Sequence, residues 1–434
     1  MSKNVHVIRS VGRTIILTLI CFLFLYSFQV PGLKIGTVMP IVGILTIYAV
    51  YAYVKGSYEK DNSRTSKMVR SYWIWNVFLL IYVFSLLQIN GSGKGTTPLM
   101  DYTQMLIILP VFYISGKAIF RDAEELMKIL YLGVILQTII ILAALVLPAL
   151  SIALFMLIPE GGYNSEHFGG IDMIFQYGYH IGLGVFTSAG SIKMAIGQVG
   201  ACFYLSKSRG SKLFFHLIVF LLISVATSIV SRTGLLISIV GLLVVFFVKS
   251  RQKGHNAFKF GVLITILLII GYFVSIKFIN ASFIEDTFTR IMVLNERGAK
   301  DTYFAGYTGE VGDNVIPPLT NETLIGLGIT YGVSGNNITT YTDGGFMRNY
   351  SAMGLIVAII NYLLIFLFFL KQYKANKDVV FKGSILFMFF AFIIGEFKES
   401  YTYYISPMCF FFLAFYLMEK DRALGSYIFM KEDV

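Results

Sequence analysis

Apolar runs of about 20 residues recur along nearly the whole chain, separated by short polar stretches rich in lysine and arginine. A helical run of that length crosses a hydrocarbon core of ~30 Å. In lipid the backbone must satisfy its own hydrogen bonds, so the pattern predicts membrane helices rather than open strands. The predicted spans fall at 14–30, 33–54, 71–90, 102–120, 126–147, 186–206, 213–230, 234–248, 260–279, 345–370, 383–397 and 402–418. The first follows Lys3, Arg9 and Arg13 and ends at Pro31-Gly32 with no small-x-small cleavage site, so it reads as a retained helix. The expected fold class is an all-α polytopic membrane protein of about 12 transmembrane helices, forming one domain over residues 1–434.

Composition agrees: 56% of the 434 residues are hydrophobic and 14% charged, against about a quarter charged in a soluble domain. The formal charge of +11 would suit a nucleic-acid partner, but its distribution gives a different explanation. Seven segments lying between alternate spans (1–13, 55–70, 117–128, 207–212, 249–259, 371–382 and 419–434) hold 25 of the 35 Lys and Arg residues. By the positive-inside rule these segments are cytoplasmic, and both termini with them. The charge therefore encodes orientation, and no nucleic acid is expected. Cys21, Cys202 and Cys409 all fall inside apolar runs, so neither a disulfide nor a cysteine metal site is expected.

The opposite side carries short connections at Pro31–Leu33, Ser231-Arg232 and Glu396–Tyr401, and a modest one at Gly91–Asp101. Two connections are long, residues 148–185 and 280–343. Loops beyond about 15 residues usually carry function or are disordered. These two hold too many aromatic and aliphatic residues for disorder, so the working surface is expected there.

Ten basic residues lie outside the cytoplasmic segments: Lys34, Lys94, Lys193, Arg232, Lys277, Arg290, Arg297, Lys300, Arg348 and Lys398. Each runs against the charge rule and invites an explanation. Arg232 sits in the tightest hairpin of the chain, and two readings meet there. Ser231 would cap the next helix while Arg232 snorkels to headgroups, or the guanidinium fork grips a phosphate. Residues 283–297 read as an amphipathic surface helix, with Ile284, Phe288 and Ile291 on its apolar side and Arg290 and Arg297 two turns apart. Asp343 is placed to cap the following helix, and Arg348 lies a turn inside it. The first long loop supplies Glu160, Glu166, His167, Asp172 and His180. No HExxH, CxxC or Asp-x-Asp pair occurs on this side, so no bound metal or other cofactor is expected.

The hairpin Ser231-Arg232-Thr233-Gly234-Leu235-Leu236, the Gly326-Leu327-Gly328 segment, and Asp343-Gly344-Gly345-Phe346 leading into a helix with Gly354-Leu355 together resemble the O-antigen and capsule polymerases of the Wzy type. Gly184-Val185-Phe186 at the start of the sixth span is similar too. The likeness covers residues 180–410; the first five spans match only in hydropathy. The related O-antigen ligases carry a histidine in the large outer loop, whereas residues 280–343 contain none, which favours the polymerase. The chain departs from the polymerases in having His180 and no arginine in the first loop.

The resemblance implies a GT-C-like membrane glycosyltransferase of the bacterial cytoplasmic (inner) membrane, acting on its outer, periplasmic side. It would join undecaprenyl-diphosphate-linked oligosaccharide repeat units into O-antigen or capsular polysaccharide, among membrane lipids and beside a chain-length regulator and a flippase. Diphosphate is a good leaving group, and arginines that neutralise its charge would make the transfer metal-independent. Arg232, Arg290, Arg297 and Arg348 are the candidate diphosphate ligands, and Asp343, His180 and Glu166 the candidate bases for the acceptor hydroxyl. A ligase transferring polysaccharide to a lipid A-core differs only in acceptor. A lipid-linked oligosaccharide flippase would need charge in a central cavity, whereas the predicted spans are nearly free of charge at mid-depth.

Overall fold

The computed structural model describes residues 2–30, 35–55, 63–90, 95–96, 98–155, 157, 182–184, 187–252, 261–262, 319–333, 339–340, 344–398 and 401–432. Helices account for most of them. The chain begins with α1 (Ser2–Leu25), a two-stranded pair of β1 (Gln29–Val30) and β2 (Ile35–Gly36), α2 (Val38–Val54) and α3 (Arg64–Asn90). It continues with β3 (Gly95–Thr96), α4 (Leu99–Ile119), α5 (Ala123–Val146), α6 (Pro148–Phe155), α7 (Thr187–Lys207), α8 (Gly210–Val230) and α9 (Arg232–Arg251). The last part comprises α10 (Asn321–Ile325), β4 (Tyr331–Val333), β5 (Thr339–Thr340), α11 (Gly345–Ala375), α12 (Val379–Lys398), a 3-10 turn at Tyr401–Tyr403 and α13 (Ile405–Glu432).

Among the described residues seven helices are long and apolar enough to cross a membrane: α3, α4, α5, α8, α9, α11 and α12. The apolar stretches Val11–Leu25 and Val38–Val54 are shorter. Every predicted span except 260–279, which lies almost wholly outside the described residues, falls on a helix, but the boundaries differ. The first helix stops at Leu25, because the chain turns there and pairs Gln29 with Gly36 and Val30 with Ile35. The second starts at Val38 for the same reason. Both long loops hold elements that were not expected, while the amphipathic helix expected at 283–297 lies outside the described residues. Residues 148–155 are helical, and β4 pairs with β3 and with β5 to make a small antiparallel sheet.

The helices pack closely where side chains are small. A Cβ at Gly200 of α7 would fall 2.4 Å from the Met127 carbonyl of α5, and one at Gly197 2.4 Å from Val134. Around this contact a single core runs from α1 to α13, and Cys21, Cys202 and Cys409 are buried within it.

The polar connections sort into two ends. At one end the basic segments meet and are joined by acidic side chains. Arg13 donates to Glu125 (2.9 Å) and to the Ile119 carbonyl (2.6 Å), and Lys207 pairs with Glu124 (2.6 Å). Glu419 of α13 accepts the backbone N–H groups of Arg64 (2.9 Å) and Thr65 (2.8 Å), and Asp421 accepts that of Ala123 (2.9 Å). Helix starts leave N–H groups without intrahelical partners and carry partial positive charge. Two carboxylates of the last helix thus cap the starts of α3 and α5 from some 300 residues away in sequence.

At the other end lie the segments expected to connect spans on the far side. Helices α9 and α12 are antiparallel: Gly383 abuts Val248, and Gly241 lies against Phe387. The end of α12 is therefore level with Ser231 and the start of α9. Gly395 abuts Tyr401 and Ile192, which brings the start of α7 to the same level.

The most consequential irregularity is at Gly354 inside α11, where φ is 79° and ψ 161°. A Cβ there would fall 2.2 Å from the Ile325 carbonyl, in a backbone region that L side chains rarely adopt. Gly210 has φ 56° but open space around it. Gly354→Ala is therefore expected to cost about 2 kcal/mol or more, and Gly210→Ala about 1 kcal/mol. Thermal unfolding of the two variants in detergent should rank them in that order, and equal melting temperatures would contradict the close contact.

Candidate functional site at the broken helix

In an unbroken helix the carbonyls of Ser351 and Ala352 would accept from the N–H groups four residues on. The break at Gly354 removes that arrangement. The two carbonyls instead accept from Leu327 N–H (2.8 Å) and Gly328 N–H (2.9 Å), in the segment after α10. Approach this close requires glycine on both sides. Gly326 (φ 112°) would place a Cβ 2.5 Å from Gly354 N. The carbonyls of the docked segment are served by α3: Tyr82 Oη donates to Ile325 O (2.6 Å) and Asn90 Nδ2 to Gly326 O (3.3 Å).

Beside the break lies a polar cluster sealed inside the protein. Glu396, near the end of α12, has 0% exposure. Its Oε1 accepts from Tyr362 Oη (2.6 Å), Asn349 Nδ2 (2.9 Å) and Thr402 Oγ1 (3.3 Å), and its Oε2 from the Thr402 backbone N–H (3.1 Å). Asn349 Nδ2 also reaches Tyr362 Oη and Thr402 Oγ1. Four neutral donors thus converge on one carboxylate, which can only accept while ionised. Asn349 lies before the break and Tyr362 after it, so the cluster spans the two parts of α11 and joins them to α12.

Of the sequence-predicted site residues, Arg348 directly precedes Asn349, a member of this cluster. It is half-buried, its N–H donates to Gly344 O (3.0 Å), and it lies within electrostatic reach of Asp101 in the first turn of α4. Gly344, rather than Asp343, is the N-cap of α11, and it makes no side-chain cap bond. Asp343 itself falls outside the described residues, as do His180, Glu166, Arg290 and Arg297. Arg232 is the first residue of α9, immediately after Ser231, whose Oγ accepts from Thr233 N–H (3.2 Å) as the sequence predicts. The antiparallel register of α9 and α12 sets Arg232 and Glu396 at the same end of the bundle.

Two charged residues were given no functional role by the sequence reading. Glu396 was assigned to a short connection, whereas it belongs to α12 and is fully buried. The signal was available in Ile393-Ile394-Gly395-Glu396, a carboxylate continuing an apolar run. Lys193 of α7 donates to Gly184 O (3.0 Å) and Ser27 Oγ (3.5 Å), closing the junction of α1, α7 and the Gly182–Gly184 turn. Gln137 of α5 donates to Leu183 O (3.1 Å) in the same turn. Among the described residues no group of three or more His, Cys, Asp or Glu is placed to hold a metal ion.

What these parts define is a multi-pass α-helical membrane protein with a broken helix and a buried, hydrogen-bonded polar cluster at one end. Comparison with protein families, curated proteins and solved structures finds no match to this chain.

Removing one donor from a buried carboxylate costs about 1.5–3 kcal/mol. Tyr362→Phe is expected to lower stability by that amount. Tyr401 Oη is buried with no hydrogen-bond partner among the described residues, so Tyr401→Phe should be neutral within about 0.5 kcal/mol or stabilising. Melting curves of the two variants in the same detergent decide it; Tyr362→Phe as stable as wild type would mean that the cluster does not form.

Proposed function

We propose that this protein polymerises undecaprenyl-diphosphate-linked oligosaccharide repeat units by glycosyl transfer at the outer face of the bacterial cytoplasmic membrane. In this reading the basic end is cytoplasmic and the broken-helix end faces outward. The observation that carries it is the placing of Arg348 on the short helical segment before Gly354, at the end of the bundle where α9 begins with Arg232. A diphosphate on a long isoprenoid carrier cannot leave the bilayer, so its enzyme must present cations at headgroup depth, beside apolar surface. Planar guanidinium forks match its oxygens two at a time.

In the reaction, the terminal hydroxyl of a new lipid-linked unit attacks the anomeric carbon of the growing chain. The new glycosidic C–O bond forms as the C–O bond to the carrier diphosphate breaks, and the bonding electrons leave with the diphosphate. Arg348 and Arg232, with Arg290 and Arg297, would neutralise the charge that develops there. The hydroxyl proton would pass to a base, for which Asp343, Glu166 and His180 remain the candidates.

Lysine keeps the charge but cannot form two parallel N–H bonds. Losing one charge-assisted contact costs about 1.5–3 kcal/mol, roughly 10- to 150-fold in rate if the contact is made in the transition state. Arg348→Lys and Arg232→Lys are each expected to insert normally yet leave cells with mostly single repeat units and few long chains. Wild-type chain lengths in both variants, at matched protein levels, would return these residues to a headgroup-anchoring role.

A further inference from the structure

The break at Gly354 isolates Gly345–Met353, the segment that carries Arg348, from the rest of α11. A helix of so few residues has no stability of its own, so its rotation and depth are set by what its side chains and carbonyls are bonded to. Three of its ties run to the segment before the break: Ser351 O and Ala352 O to Leu327 and Gly328, and Tyr350 Oη to Thr323 Oγ1 (3.2 Å). Residues 323–328 lie within the second long loop and are themselves held chiefly through these contacts and α3. The bond from the segment to α12 is made by Asn349, the neighbour of Arg348, and its acceptor is Glu396. Phe346 adds ring contacts with Tyr362 and Phe397 at 4.8 and 5.0 Å between centroids.

We propose that Glu396 is a positioning residue for Arg348: through Asn349 it fixes Gly345–Met353 against α12 and so sets where the guanidinium is presented. The inference rests on the reading of Arg348 as a diphosphate ligand. A carboxylate matches the donors around position 396 better than an amide does. Both of its oxygens face donors, with Thr402 N–H on one and Tyr362, Asn349 and Thr402 Oγ1 on the other. In Glu396→Gln an NH2 group at the Oε2 position would face the Thr402 backbone N–H, and one at the Oε1 position would face the Asn349 NH2, while the two hydroxyls can turn to accept; the tie to Asn349 survives only in the orientation that opposes Thr402. The position is also too buried for water to repair the mismatch. An ionisable residue buried in a membrane bundle is costly to keep there and by default marks a functional site.

The test uses the full-length protein in lipid nanodiscs, with two readouts. Amide hydrogen exchange over residues 345–353 is expected to quicken roughly tenfold or more in Glu396→Gln, while exchange in the middle of α5 stays unchanged. Asn349→Ala, which cuts the same tie from the other side, should do likewise if Glu396→Gln proves too unstable to purify. Elongation of lipid-linked repeat units should fall at least tenfold in Glu396→Gln. The loss should not add to that of Arg348→Lys, so that the double variant lies within about threefold of Arg348→Lys alone. Unchanged exchange over 345–353, or losses that multiply in the double variant, would overturn the positioning role. Wild-type elongation by Arg348→Lys, with exchange still quickened by Glu396→Gln, would instead refute the diphosphate reading and leave Glu396 holding the segment.

Discussion

Two backbone hydrogen bonds, from Leu327 and Gly328 to the carbonyls of Ser351 and Ala352, are what the rest of this end of the molecule depends on. An unsatisfied carbonyl at membrane depth costs several kcal/mol, and the break at Gly354 displaces two of them from helical geometry. The docked segment takes over both. Its own carbonyls are then satisfied by Tyr82 and Asn90 of α3. Part of a long loop, a broken helix and a helix from the first half of the chain are therefore fixed to one another by one accounting of backbone groups. Irregular backbone at this depth is tolerated only where it is buried in protein or lines a cavity, and here glycines at 326, 328 and 354 permit the contact.

The two ends of the bundle solve the same problem in different ways. At the basic end, carboxylates of α13 close the starts of α3 and α5, so acidic residues offset both helix dipoles and the surrounding positive charge. At the broken-helix end the fully buried carboxyl group among the described residues, Glu396, has neutral donors around it. Neutral hydrogen-bond donors, rather than cations, thus meet the Glu396 carboxyl group.

Helix positions were legible in the sequence because a run of about 20 apolar residues has few alternatives in lipid. The Ser231 cap was legible because a serine before a renewed apolar run has a local physical role. The break at Gly354 was not. Met353-Gly354-Leu355 lies inside an apolar run, and glycine permits a positive φ without requiring it. What forces the break is the distant Gly326–Gly328 segment, whose partner no local pattern discloses. The same holds for Glu419 and Asp421, which read as ordinary polar residues after the last span and act as caps for helices far earlier in the chain. Asp343 looked like the cap of α11, but the helix opens one residue later on Gly344. Of the candidate site residues, Arg348 and the position of Arg232 at a helix start fell where pattern reasoning put them. Glu396 and Lys193 were given no role because their partners are brought together only by packing.

The central claim is that this end of the bundle transfers sugar chains between diphosphate carriers with arginines as the charge-neutralising groups. The most direct measurement takes the purified protein in nanodiscs, undecaprenyl-diphosphate-linked repeat units and excess EDTA, and follows products by chain length and carrier release. The account predicts a ladder of lengthening chains, with one undecaprenyl diphosphate freed for each glycosidic bond formed. Absence of elongation in EDTA, restored only by added magnesium or manganese, would contradict it.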